Sequence, residues 1–81
     1  MARTIALIAH DNKKDEIVEF AVQHQPLLSR YHLIATETTG KLIAEATSLE
    51  IEQLASGPLG GDAQIAARVV AKEVIAVIFL I

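Results

Sequence analysis

Four short apolar segments separated by three helical patterns predict an α/β domain, with a parallel sheet, helices on both faces and the order βαβαβαβ. Two observations carry this. The first and last apolar segments, 4–9 and 74–81, are continuous runs without polar alternation, the pattern of strands covered on both faces. Between strand candidates, apolar residues recur at three- and four-residue spacing, which puts them on one side of a helix. Each connection to a parallel neighbour must then cross the sheet with right-handed chirality.

The elements follow in order. Thr4-Ile5-Ala6-Leu7-Ile8-Ala9 reads as the first strand. Asp11 or Asn12 is placed to cap a helix over residues 13–24, in which Ile17, Phe20, Ala21 and His24 share a face with Val18 and Val22 beside them. Pro26 marks the end of that helix, because the residue before a proline is pushed out of the helical region. His32-Leu33-Ile34-Ala35-Thr36 is the second strand. Thr38 or Thr39 opens a second helix with the stripe Leu42, Ile43 and Ala46, and residues 49–54 form a short third strand. Residues 56–61, Ser-Gly-Pro-Leu-Gly-Gly, are a loop by turn chemistry. Asp62 starts a third helix that turns Ile65, Ala66, Val69 and Val70 inward, and residues 74–81 form a fourth strand of the fully buried type. No element follows to cover that last strand. The expectation is therefore a single domain over residues 1–81, incomplete after its fourth strand or completed by a partner.

Composition narrows the function classes. A chain of 81 residues in which 52% are hydrophobic can hold one small core and is not disordered. Without cysteine it has no disulfide, thiolate metal ligand or thiol nucleophile. Ten acidic against seven basic residues argue against a nucleic-acid surface. The apolar runs are far shorter than the ~20 residues a membrane helix needs, and 5–9 is too brief for a secretory signal. A cytoplasmic chain is expected. The three histidines lack ligand spacing to one another, so no metal centre is predicted.

Chemistry is sought where α/β sheets bind ligands, beyond the carboxyl ends of the strands. A P-loop is excluded because Ala35 and Leu42 stand where glycine and a hydroxyl residue are required around Gly40-Lys41, and no G-x-G-x-x-G follows the first strand. Thr36, Thr38 and Thr39 bring three hydroxyls to a helix N-terminus, either a phosphate cradle or simple capping. His10 is either an electrophile or general acid at a strand end, or a local partner of Asp11. Asp62 is either a general base presented by the Gly60-Gly61 turn or a helix cap. Lys14 either pairs with a phosphate or lies in solvent.

These segments acquire joint meaning from their order and spacing. The motifs 5–11 (Ile-Ala-Leu-Ile-Ala-His-Asp), Ala35-Thr36 with Thr38-Thr39-Gly40, and 56–62 (Ser-Gly-Pro-Leu-Gly-Gly-Asp), with His-Gln-Pro-Leu-Leu at 24–28, closely resemble the methylglyoxal synthases. The resemblance extends over essentially the whole chain and about the first two-thirds of that family's domain. It implies a lyase that converts dihydroxyacetone phosphate to methylglyoxal and inorganic phosphate without metal or organic cofactor, in a homo-oligomer. It also implies roles: Asp62 as the carboxylate that removes a proton, His10 as a catalytic group that binds substrate and supports the enediolate. Lys14, Thr36, Thr38, Thr39, Ser56 and Gly57 match positions that hold phosphate and substrate. Glu37 stands where the family carries glycine, and a carboxylate in that turn is expected to weaken phosphate binding. The resemblance leaves room for a different class, a non-catalytic phosphate-binding regulatory module like that of carbamoyl-phosphate synthetase, or an inert half-domain that associates with itself.

Overall fold

The computed structural model describes residues 3–56 and 59–81. The elements are β1 (Thr4–Ala9), a single 3-10 turn (Asp11–Lys13), α1 (Lys14–Gln23), α2 (Gln25–Leu28), β2 (His32–Thr36), α3 (Glu37–Ala46), β3 (Ile51–Leu54), α4 (Gly61–Val70) and β4 (Val74–Leu80). All three strand pairings are parallel, and the strand order is β3-β2-β1-β4.

This order follows from connection chirality. The right-handed crossovers β1-α1-β2 and β2-α3-β3 move one way along the sheet, so α1 and α3 share a face. The chain then returns past β2 and β1 to place β4 on the far side, which puts α4 on the opposite face. The side chains of β1 sort accordingly. Ile5, Leu7 and Ala9 pack in a cluster with Ile17 and Ala21 of α1 and Ile43 of α3. Ala6 points the other way, into a smaller cluster with Ile34, Leu54 and Ile65 of α4. An unalternating apolar run is what a strand needs when both of its faces are core, and β1 meets that description, with Ala6 and Leu7 fully buried.

The fourth strand departs from the expectation. It was predicted to be buried on both faces, but Ile75, Val77 and Phe79 are about half exposed. The cause is geometric. β4 is an edge of the sheet, and α4 packs Ile65 against Ala6, Ile34 and Leu54 of β1, β2 and β3; of β4 only Val74, at its start, reaches that cluster, which leaves the rest of the same face uncovered. Only Ile78 and Leu80, on the α1–α3 side, reach the main core. For the same reason Val69 and Val70 of α4 are exposed, 40% and 81%, where an inward stripe was predicted, and Ala66 is exposed with them. His24 is likewise exposed beyond the end of α1.

Several boundaries move for local reasons. Pro26 ends α1 but also sits in the first turn of α2, where its missing N–H costs nothing. α3 begins at Glu37, directly after Thr36, whose extended backbone makes it the capping position, so neither Thr38 nor Thr39 opens the helix. α4 begins at Gly61 with Gly60 in the capping position, so Asp62 is inside the first turn and not its cap. The 3-10 turn after β1 is likewise entered without a side-chain cap. The third strand is Ile51–Leu54, shorter than predicted at its start. Among the described residues, no helix is long and apolar enough to cross a membrane.

α4 is tied to the sheet at both ends. Near its C-terminus Arg68 donates to both carboxylate oxygens of Glu52 on β3, at 3.0 Å for Nη1 to Oε1, and His32 Nε2 lies 2.9 Å from the same Oε1. Near its N-terminus the Ala55 N–H donates to Gln64 Oε1 at 2.8 Å, and the Gly61 N–H donates to the Ser56 carbonyl at 2.9 Å. Gly60 takes φ +93°, open to glycine at little cost. Gly61 is glycine for another reason: a Cβ there would overlap the Ala55 carbonyl and press on Thr36 Cγ2 at 3.0 Å.

Two stability measurements follow. Gly61→Ala is expected to lower unfolding free energy by roughly 1–3 kcal/mol in urea titration, because backbone must shift to admit the methyl group; wild-type stability would show that the contact is not tight. The carboxyl of Glu52 is held at about 2, below its ordinary 4.5, by the hydrogen bonds from Arg68 and then His32. A depressed carboxylate pKa contributes stability above the unfolded value and loses it as pH falls through the folded one. Because the pair is partly exposed, Glu52→Gln is expected to cost at most about 1 kcal/mol at pH 7. That difference should close between pH 4.5 and about 2; a difference that persists to pH 2 would contradict the assignment.

Candidate active site

In an open parallel sheet the ligand crevice opens where the strand order reverses, because the loops on either side of that point diverge. Here the reversal lies between β1 and β4. At the carboxyl ends of the strands a cleft of about 240 Å³ opens, and it gathers His10, Lys14, Thr36, Thr38, Ser56 and Asp62. These six come from three separate strand-to-helix junctions.

Each junction contributes something different. After β2 the chain enters α3 without a loop, so Thr36 and the first turn of α3 face the cleft directly. The first N–H groups of that ten-residue helix have no intrahelical acceptor, and with the positive end of the helix dipole they favour an anion. The Thr36 side chain makes no capping bond, so its hydroxyl is not committed to the helix. After β3 the Ser56 carbonyl accepts from both Leu59 N–H and Gly61 N–H at 2.9 Å. That double anchor, with Gly60 left-handed and Gln64 holding Ala55, sets Asp62 at the start of α4 on a turn with little freedom.

After β1 the arrangement is a clamp. Lys14 Nζ donates to the Ala9 carbonyl at 2.6 Å and to Thr39 Oγ1 at 2.7 Å. It joins the end of β1, the start of α1 and the first turn of α3. Of its three N–H donors, one remains for the cleft. Thr39 is fully buried behind Lys14 and does not line the cleft, which separates it from Thr36 and Thr38. Gly57 lies outside the described residues. Glu37 is exposed in the first turn of α3 and is absent from the cleft lining, so its charge reaches the cradle through space and not by contact.

Besides Ile8 and Ala9 at the end of β1, the cleft lining holds Asp11 and Phe79, to which the sequence assigns no site role. Asp11 reads from the sequence as a cap or as the local partner of His10, and its position beside His10 brings it into the cleft. Phe79 was read as buried core. Its ring instead stacks on the His10 imidazole, with centroids 5.8 Å apart and planes 27° from parallel. Only strand pairing exposes this neighbour, since β1 and β4 are far apart in the chain and Ile8 lies opposite Phe79 in register.

A larger depression of about 590 Å³ lies at the opposite edge, lined by Gln25, Arg30, His32, Ser48 and Glu50 among others. There the strands begin and α1 and α3 end, so the helix dipoles present their negative ends and oppose an anion. Charge and donor geometry, not size, single out the smaller cleft.

The family model for the MGS-like domain matches residues 16–81. Methylglyoxal synthase of Thermus thermophilus is 58% identical over 78 residues, which are 96% of this chain and 62% of that protein. Methylglyoxal synthase of Clostridium beijerinckii is 49% identical over 75 residues, 93% of this chain and 63% of that protein. An uncharacterised Synechocystis protein is 57% identical over all 81 residues, which make up only 19% of its length. The crystal structure of methylglyoxal synthase from Elizabethkingia anophelis superposes with a TM-score of 0.92 at 46% identity, covering 96% of this chain and 51% of that one. This chain thus spans about 62% of the length of the Thermus methylglyoxal synthase it matches. Sequence similarity and backbone together show that it belongs to the MGS-like domain family, and its relatives there include the methylglyoxal synthases.

Proposed function

We propose that this domain binds dihydroxyacetone phosphate and carries methylglyoxal synthase-type lyase chemistry. The observation that carries the reading is the convergence of Asp62, His10, Lys14, Thr36, Thr38 and Ser56 on one cleft at the strand-order reversal. The names of the relatives point to the same reaction.

The chemistry fits the donors. The phosphate dianion sits against the N-termini of α3 and α4, held by the hydroxyls of Thr36, Thr38 and Ser56 and the remaining N–H of Lys14, with Thr39 keeping Lys14 in place; Gly57 joins this set by family resemblance. The Asp62 carboxylate takes a proton from the carbon beside the carbonyl, and the electrons of that C–H bond become the double bond of an enediolate. His10 donates to the oxygen on which negative charge develops. Collapse of the enediolate breaks the carbon–oxygen bond to phosphate, which leaves with the bonding pair, and the remaining enol becomes methylglyoxal. No metal or organic cofactor enters this sequence. The partners are a small phosphorylated substrate and inorganic phosphate, and the domain works as a homo-oligomer in the cytoplasm.

A second reading, a phosphate-binding module without turnover, draws on Glu37, a carboxylate in the first turn of α3 beside the cradle. One experiment separates the two. With dihydroxyacetone phosphate supplied, lyase chemistry releases methylglyoxal and phosphate in equal amounts, and Asp62→Asn should slow release by about a hundredfold or more. Phosphate binding without methylglyoxal favours the module. Full activity in Asp62→Asn would remove Asp62 from the role of base. In a separate titration, Glu37→Gln should tighten inorganic phosphate binding about two- to tenfold at low ionic strength, with the gain shrinking as salt is added. Equal affinities for the two proteins would mean that the Glu37 charge does not reach the cradle.

A further inference from the structure

We infer that Phe79 is a positioning residue for His10, holding the imidazole at the angle from which it meets the substrate oxygen; the inference rests on the role proposed above for His10. Ile8 and His10 are two residues apart, so they project to the same side of the sheet, and Phe79 lies opposite Ile8 in the β1–β4 register. That places the phenyl ring diagonally beside His10, at the stacking distance and angle observed. Beyond the strand end His10 has its backbone N–H fixed on the Leu80 carbonyl at 3.0 Å, but it is exposed, and its side-chain torsions are free unless something packs on the ring. Phe79 is what packs there.

Among the described residues, Phe79 takes no part in either core cluster. It is 47% exposed, although neighbouring Ile78 and Leu80 both pack against the main one. A large aromatic on a bare sheet face, lining the cleft and stacked on its histidine, is spent on the site. Its face also keeps water from one side of the imidazole, which strengthens any hydrogen bond His10 makes to a developing oxyanion.

The test compares wild type with Phe79→Leu and Phe79→Tyr. Far-UV circular dichroism and melting check that each variant folds; Tyr keeps the ring and covers the case in which Leu does not fold. In proton NMR spectra, with the His10 signals assigned through His10→Asn, the ring protons of His10 should be displaced upfield by the phenyl face in wild type and in Phe79→Tyr. They should return toward the position of an exposed histidine in Phe79→Leu. In the dihydroxyacetone phosphate assay, Phe79→Leu should lower kcat about tenfold with KM within about twofold, and Phe79→Tyr should restore it. Unchanged His10 resonances in Phe79→Leu, or an unchanged kcat, overturns the inference. Absence of methylglyoxal from the wild-type protein instead overturns the proposed reaction, and the NMR comparison still decides whether Phe79 holds His10.

Discussion

The placement of β1 between β2 and β4 governs the rest of the molecule. Because the chain moves outward from β1 to β3 and then returns to the far side, α1 and α3 must lie on one face and α4 on the other. That arrangement buries both faces of β1, requires its unbroken apolar sequence, and opens a crevice at its carboxyl end. The same step exposes most of one face of β4, since the helix on that side packs over β3, β2 and β1 and reaches β4 only at Val74. Core, crevice and bare strand are three results of one topological step.

Within the crevice, rigidity comes from backbone and from side chains spent on structure. The Ser56 carbonyl, Gly60, Gly61 and Gln64 hold the start of α4, so a carboxylate one residue on has little room to wander. Lys14 gives two of its donors to Ala9 and Thr39, locking the ends of β1 and α3 against each other. Such preorganisation suits a site whose task is to stabilise charge, because donors already in place need not reorganise as that charge develops. Asp11 and Asp62 line the same cleft, so the proposed anion would depend on helix N-termini and hydroxyls and not on an excess of cations.

Much of this was legible in the sequence, and the failures share a cause. The run at β1, the threonines that follow the second strand and the Ser-Gly-Pro-Leu-Gly-Gly-Asp segment mark three strand ends, and these together with the family resemblance pointed to the parallel fold and to six cleft residues. What stayed hidden depends on which element lies across from which. An apolar run such as 74–80 reads alike whether it is buried or on an uncovered edge, so Phe79 passed for core. Thr36, Thr38 and Thr39 look equivalent in a row, but one helical turn sends Thr39 behind Lys14 and leaves the other two in the cleft. Pro26 and Asp62 show the limit of local signals: proline reads as the end of a helix but also suits a first turn, and a capping role was open to Asp62 until Gly60 took it.

The central claim is that the strand-end cleft, and not the larger opposite depression, receives phosphate. Amide chemical-shift mapping of the isotope-labelled protein during titration with inorganic phosphate tests it most directly. The account predicts saturable shifts concentrated at residues 36–39 and 60–62 and at His10 and Lys14, where helix N-termini and side-chain donors converge. Shifts centred on Arg30, His32 and Ser48, or none beyond those of an equal ionic strength of chloride, would contradict it.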